Sequence, residues 1–181
     1  MSEIVIVSGS PSESSRSDIV LRYLESLLKE EGFSVAYISI RDVPQDVLFH
    51  GTFDSPVIEE VVSLIKGAKG LIVGSPVYKA AYSGVLKSLL DLLPQDVLQG
   101  KPVLPLMTGG SQSHLLAIEY TLKPILATLK GQNLKGVYLV DDQIEKTEVA
   151  NPIVHAESLS RLKKQLYYFT ELLNKPKDAI L

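Results

Sequence analysis

Cysteine and tryptophan are absent from the 181-residue chain, and histidine occurs only three times. Without a thiol there is no cysteine nucleophile, no thioredoxin-type redox pair, no iron–sulfur ligation and no cysteine-based zinc site. Two phosphate-binding signatures, Gly-x-Gly-x-x-Gly and Gly-x-x-x-x-Gly-Lys-Ser/Thr, are also missing. No run of about 20 apolar residues occurs that could cross a bilayer as a helix. The opening Met-Ser-Glu-Ile-Val-Ile-Val has neither the basic start nor the long apolar stretch of a signal peptide. No membrane association is therefore expected, and a cytoplasmic location is. Against 18 basic residues stand 21 acidic ones, a formal charge of -3, so no nucleic-acid partner is expected either.

What is present is enough apolar content, 45%, to fill a core. The length suits a single domain spanning residues 1–181. Residues 4–8 are a continuous, mostly β-branched run, the pattern of a strand buried on both faces. From Ser17 the period changes to helical, with Val20, Leu21, Leu24, Leu27 and Leu28 on one stripe and Gly32 as the stop. Residues 34–40 read as a second strand, and 41–54, with Pro44 and Gly51, as a long connection. Ser55-Pro56 starts a helix that ends by Gly67. Further strands are expected at 70–74, 103–107 and 137–140. Helical stripes are expected at 83–93, 115–129 and 159–173. Five short buried strands alternating with five amphipathic helices predict an α/β fold, a parallel sheet with helices on both faces. Ligands of such sheets bind beyond the carboxyl ends of the strands, where the strand order reverses.

Three loops reach that edge. Ser10, Ser15, Arg16 and Ser17 lie where a buried strand meets a helix N-terminus, a place that attracts a terminal phosphate through backbone N–H groups, hydroxyls and one guanidinium. Read blandly, the same residues are a serine-rich cap. Pro76, Val77, Tyr78 and Lys79 follow the third strand and offer an aromatic surface for a flat heterocycle, or else half-buried tyrosines with solvated hydroxyls. Thr108, Gly109 and Gly110, with His114 beyond, supply flexible N–H donors for the polar edge of a ring that gains negative charge on reduction; paired glycines can also serve only a tight turn. Phosphate at one end and a ring between the other two loops is the layout for a mononucleotide such as FMN. Within the last-but-one stripe Pro124 lacks an N–H, so the Tyr120 carbonyl loses its helical partner. Either a kink or a one-residue π-bulge absorbs that break. Asp141-Asp142 reads as a solvated strand end, and His50 and His155 as surface residues.

Gly9-Ser10-Pro11, Ser15-Arg16-Ser17, Phe53-Asp54-Ser55-Pro56, the run from Pro76 to Gly84, Leu89 to Pro94, Leu104-Pro105-Leu106, Thr108-Gly109-Gly110, His114 to Ala117 and Tyr120 with Leu122-Lys123-Pro124 carry a resemblance. Together they resemble the NAD(P)H-dependent FMN reductases of two-component alkanesulfonate monooxygenase systems. The resemblance implies a flavodoxin-like five-stranded sheet of order 2-1-3-4-5 and FMN as substrate or loosely held cofactor. It also implies hydride delivery from NADPH or NADH, and release of reduced flavin to a separate flavin-dependent monooxygenase in sulfur metabolism. Ser10, Arg16 and Ser17 would take the phosphate, Pro76 to Lys79 the ring, and Thr108 to Gly110 the pyrimidine edge. No side chain is assigned as acid, base or nucleophile. The family also implies a homo-oligomer, a dimer or a homotetramer, with a π-helix containing Tyr120 at the subunit interface that favours flavin exchange. Many relatives carry arginine where this chain has Ser12, which leaves the phosphate to Arg16 and the backbone. Two other readings compete: a quinone or azo-dye reductase that retains FMN, and a flavodoxin-like electron carrier, for which a charge of -3 is small.

Overall fold

Strand β1, Ile4–Ser8, is buried along its whole length and pairs in parallel with β2, Val35–Ser39, on one side and β3, Gly70–Pro76, on the other. A computed structural model describes residues 2–148 and 150–174. Beyond β3 lies β4, Pro102–Gly109. Its far edge is shared by two short segments, β5 at Gln132–Asn133 and β6 at Val137–Val140. The sheet order is β2-β1-β3-β4-β5, with β6 also on β4 and every pairing parallel. The expected order is thus met, except that its fifth position is filled in two pieces. The first piece, Gln132-Asn133, is polar and carries no strand signal of its own.

Side-chain alternation along the strands sorts the core into two layers. Val5 and Val7 of β1, with Leu71 and Val73 of β3, face α2 (Gln45–His50), α3 (Pro56–Gly67), α4 (Gly84–Asp91) and α5 (Lys123–Thr128). Ile4, Ile6 and Ile72 face α1 (Arg16–Glu30) and α6 (Ala156–Asn174). A sheet apolar on both faces needs this double cover, and each fully buried leucine or isoleucine contributes roughly 1.5–3 kcal/mol. Among the described residues no helix is long and apolar enough to cross a membrane.

Helix boundaries follow local chemistry. Ser15 caps α1 through its hydroxyl, which accepts from the Asp18 N–H, and Ser83 caps α4 by accepting from the Leu86 N–H. Residues 41–54, expected as a connection, instead hold a 3-10 turn at Ile40–Asp42 and the short helix α2. The same Pro44 and Gly51 that marked a loop start and stop this helix, Gly51 in the left-handed region at φ 66. The expected stripe over 115–129 is broken into a π-helical turn at Ile118–Leu122 and α5, and a 3-10 turn at Gln112–His114 precedes it. The Lys123 N–H donates to the Ile118 carbonyl, five residues back. Of the two ways to absorb Pro124, the chain takes the π-bulge. Strands β3 and β4 run longer than expected, so Pro76, Thr108 and Gly109 are strand ends, held in rigid register with each other.

Candidate functional site

The loop after β1 is drawn tightly onto the sheet edge. A Cβ on Gly9 would lie 2.7 Å from Leu86 Cδ2, so only glycine lets α4 pack this close. Gly9 N–H donates to the Gly74 carbonyl at 2.7 Å, and the Ser83 hydroxyl donates to the Gly9 carbonyl at 2.5 Å. The buried Ser10 hydroxyl donates to the Ser12 carbonyl and accepts from the Ser12 N–H, closing the turn. Beneath it Asp18, buried at the start of α1, accepts from the Ser8 and Tyr37 hydroxyls, both at 2.7 Å, with an Arg41 Nη2 at 3.9 Å. Burial and then that hydrogen bond to Asp18 push the Tyr37 phenol well above its ordinary range. The Arg22 guanidinium stacks 3.3 Å above the Tyr37 ring. Three elements are thereby tied beneath one loop.

The second loop is a two-residue turn: Tyr78 and Ala81 exchange both backbone hydrogen bonds, and Lys79 and Ala80 stand at φ 50 and 63. Positive φ at both central positions is the type I′ pattern, adopted here without the usual asparagine or glycine. The Val77 N–H donates to the Thr108 carbonyl at 2.7 Å, joining this loop to the third. There the Tyr138 hydroxyl donates to the Ser111 carbonyl at 2.5 Å. Burial, then the negative charge of Asp141, raise the Tyr138 phenol above its ordinary value of 10, so it remains a neutral donor.

A cleft of about 230 Å³ opens where the three loops meet, lined by Ser12, Ser14, Ser15, Arg16, Pro76, Val77, Tyr78, Thr108, Gly109, Gly110, Asp141 and Lys146. Of the residues expected from sequence, it brings together Ser15, Arg16, Pro76, Val77, Tyr78, Thr108, Gly109 and Gly110. It does not include Ser10, Ser17, Lys79 or His114. Ser10 and Ser17 are fully buried and hold the loop from within, Ser17 through the Ser15 hydroxyl at 3.2 Å. Lys79 occupies the turn, and His114 ends the 3-10 segment, its N–H on the Ser111 carbonyl. Tyr120 lies in the π turn and is 75% exposed, beside the exposed Leu115 and Leu116.

Asp141, expected with Asp142 as a solvated strand end, directly follows β6 and keeps its side chain 38% exposed, and beyond that expectation it lines the cleft with Oδ2 3.8 Å from Arg16 Nη1. Lys146 and Ser14 also escaped the sequence reading. Lys146 lies in the segment between β6 and α6, far in sequence from the first loop, and no motif marks it. The scaffolding serines, Ser75 and Ser83, were missed as well. Ser75 Oγ accepts from the Ser83 N–H at 2.9 Å and donates to the Pro76 carbonyl.

With this geometry established, comparison with known proteins places the chain in a defined company. The family model described as NADPH-dependent FMN reductase matches residues 2–146. An FMN reductase (NADPH) of Pseudomonas putida is 43% identical over 165 residues, spanning 91% of this chain and 82% of that protein. An FMN reductase (NADPH) of Escherichia coli is 46% identical over 142 residues, spanning 78% and 74%. Among solved structures, an NADH:FMN oxidoreductase in its apo form superposes with a TM-score of 0.84 at 33% identity, over 97% of this chain and 92% of that one.

Proposed function

Given that the chain belongs to the NADPH-dependent FMN reductase family, we propose that this cleft presents FMN to NADPH or NADH, and that the reduced flavin then leaves for a separate flavin-dependent monooxygenase. The protein is an NAD(P)H-dependent FMN reductase, an oxidoreductase. When bound, FMN supplies the N5 position that accepts the hydride from nicotinamide C4.

The observation that carries the reading is the convergence of a serine-and-arginine loop, a tyrosine turn and a glycine pair on one cleft. The residues present fit the group. Among the described residues Arg16 Nε is buried without a hydrogen-bond partner, and apart from Gly110 and its chain neighbours only Asp141 Oδ2, at 4.0 Å, comes near a Cβ built on Gly110. The first leaves guanidinium valence for a phosphate; the second lets a ring approach the backbone. Ser12, Ser14 and Ser15 hydroxyls and Arg16 would hold the phosphate, with Ser10 and Ser17 fixing the loop behind them. Pro76, Val77 and Tyr78 would flank the ring, with Lys79 at its rim. Thr108, Gly109 and Gly110 would meet the pyrimidine edge, where preset N–H donors stabilise charge that builds up during reduction. His114 would sit beyond that edge. No acid or base is required of any side chain.

The exposed Leu115, Leu116 and Tyr120 form an apolar surface on and before the π turn. A second copy of the chain would cover it, giving a dimer or homotetramer. Sulfur metabolism, with alkanesulfonate desulfonation by the monooxygenase, is the process the resemblance favours. The test is NADPH and NADH oxidation by the purified protein with FMN, riboflavin or FAD added. FMN should accelerate it, and a rate unchanged by every flavin refutes the reading. Deleting Tyr120 should straighten the π turn, shrink the oligomer in gel filtration and leave the protein yellow with retained FMN; a colourless variant of unchanged size refutes the exchange role.

A further inference from the structure

We propose that Asp141 is an internal competitor for the flavin's phosphate, a specificity-determining residue that loosens the hold of Arg16 on phosphorylated flavins. The inference rests on the reading that Arg16 marks the phosphate end of the cleft.

Arg16 is the first residue of α1 and Asp141 the first beyond β6. Sequence separates them widely, and the sheet brings Nη1 and Oδ2 to 3.8 Å. That distance exceeds hydrogen-bonding range, so the pair is held by charge alone. Each side chain is about a third exposed, 36% and 38%, which keeps the attraction weak and easily surrendered. Oδ2 also stands 4.0 Å from where a Gly110 Cβ would be, so the carboxylate faces both the cation and the glycine wall. The cleft lining therefore sets Arg16 and Lys146 against one carboxylate.

A phosphate entering beside Arg16 meets this arrangement twice. It must share a guanidinium that already has a carboxylate neighbour, and it must accept a second anion close by. Both effects act on a charged phosphate and neither acts on the ring. Removing the Asp141 charge should therefore strengthen binding only for ligands that carry the phosphate. Lys146 on the same lining bounds the effect by keeping the net field attractive. The consequence suits a protein whose flavin departs after each turnover: the ring contacts set what binds, and Asp141 keeps the anion site from binding it permanently.

The experiment is flavin fluorescence titration of wild type, Asp141→Asn and Asp141→Glu with FMN and with riboflavin, with circular dichroism as the check on folding. Asp141→Asn should tighten FMN about fivefold, the worth of a partly exposed ion pair, and leave riboflavin unchanged. Asp141→Glu keeps the charge and should stay near wild type. Inorganic phosphate should bind Asp141→Asn more tightly than wild type, read as a lower inhibition constant against FMN after correction for the tighter FMN binding. FMN affinity that is unchanged or weaker in Asp141→Asn overturns the proposal, as does an equal gain for riboflavin. A wild-type protein that binds neither flavin overturns the underlying functional reading instead, which separates the two failures.

Discussion

Replacing Gly109 with alanine would place a Cβ 2.6 Å from the Tyr138 hydroxyl and 3.3 Å from Val77 Cβ. Contacts that close do not occur between ordinary side chains, so one partner must move. The Val77 backbone is pinned by its hydrogen bond to Thr108, which leaves the Tyr138 ring to give way. Its hydroxyl then loses the Ser111 carbonyl, 2.5 Å away. The lost hydrogen bond costs about 1 kcal/mol, and overpacking at a buried strand end adds about 2 kcal/mol. A total near 3 kcal/mol lowers Tm by roughly 6–12 °C in a protein of this size. Tyr138→Phe alone should cost only about 1 kcal/mol, since it removes the bond without a collision. In the double variant the hydroxyl that collides is gone. The loss should be about 2 kcal/mol rather than the sum of about 4, a coupling that a double-mutant cycle reads directly. Urea unfolding of the four proteins, with FMN titration alongside, is the assay. The reasoning is refuted if the two changes add, or if Gly109→Ala unfolds with wild type.

Three further outcomes are expected. Replacing Lys79 with asparagine and Ala80 with glycine relieves two positive φ angles, 50 and 63; stability should rise by about 1 kcal/mol in chemical denaturation, and any decrease contradicts the turn assignment. Asp18→Ala strands the Ser8 and Tyr37 hydroxyls and the Arg41 guanidinium beneath the first loop; a loss of about 2–4 kcal/mol is expected in the same assay, and less than about 1 would show that the network carries little weight. For Glu25, burial pushes the carboxyl up, but hydrogen bonds from Lys29 and Arg22 outweigh it and hold the group below its ordinary value of 4.5. A depressed folded value means stability present above the unfolded value and lost as pH falls through the folded one. Wild type should therefore exceed Glu25→Gln by about 0.5 kcal/mol at neutral pH, with the gap closing below about pH 4; a gap that persists in acid is the contrary result.

Much of the site was legible because its signals are local. Ser15 reads as a cap since a hydroxyl three residues ahead of an orphan N–H needs no tertiary partner. Pro124 announced a helix defect because a missing N–H is a property of one residue, and the structure resolves the defect as a π turn at Ile118–Leu122. Ser10 and Ser17 show the limit. Their residue type suits an anion, yet the loop folds back and buries both hydroxyls. The helix α2 hid in an expected loop, because six residues between a proline and a glycine show too little periodicity to declare themselves.

The sequence by itself determined the layered α/β architecture, since continuous β-branched runs bury on both faces and helical stripes must cover them. It also determined which three loops reach the ligand edge, a consequence of parallel strands all pointing their carboxyl ends the same way. Only the tertiary structure decided which side chains on those loops meet. It set Asp141 against Arg16 across the sheet edge, brought Lys146 into the same cleft and turned Ser10 inward. The physical reason is range: caps, turns and periodicity act over a few residues, whereas charge pairing and burial depend on which strands lie side by side.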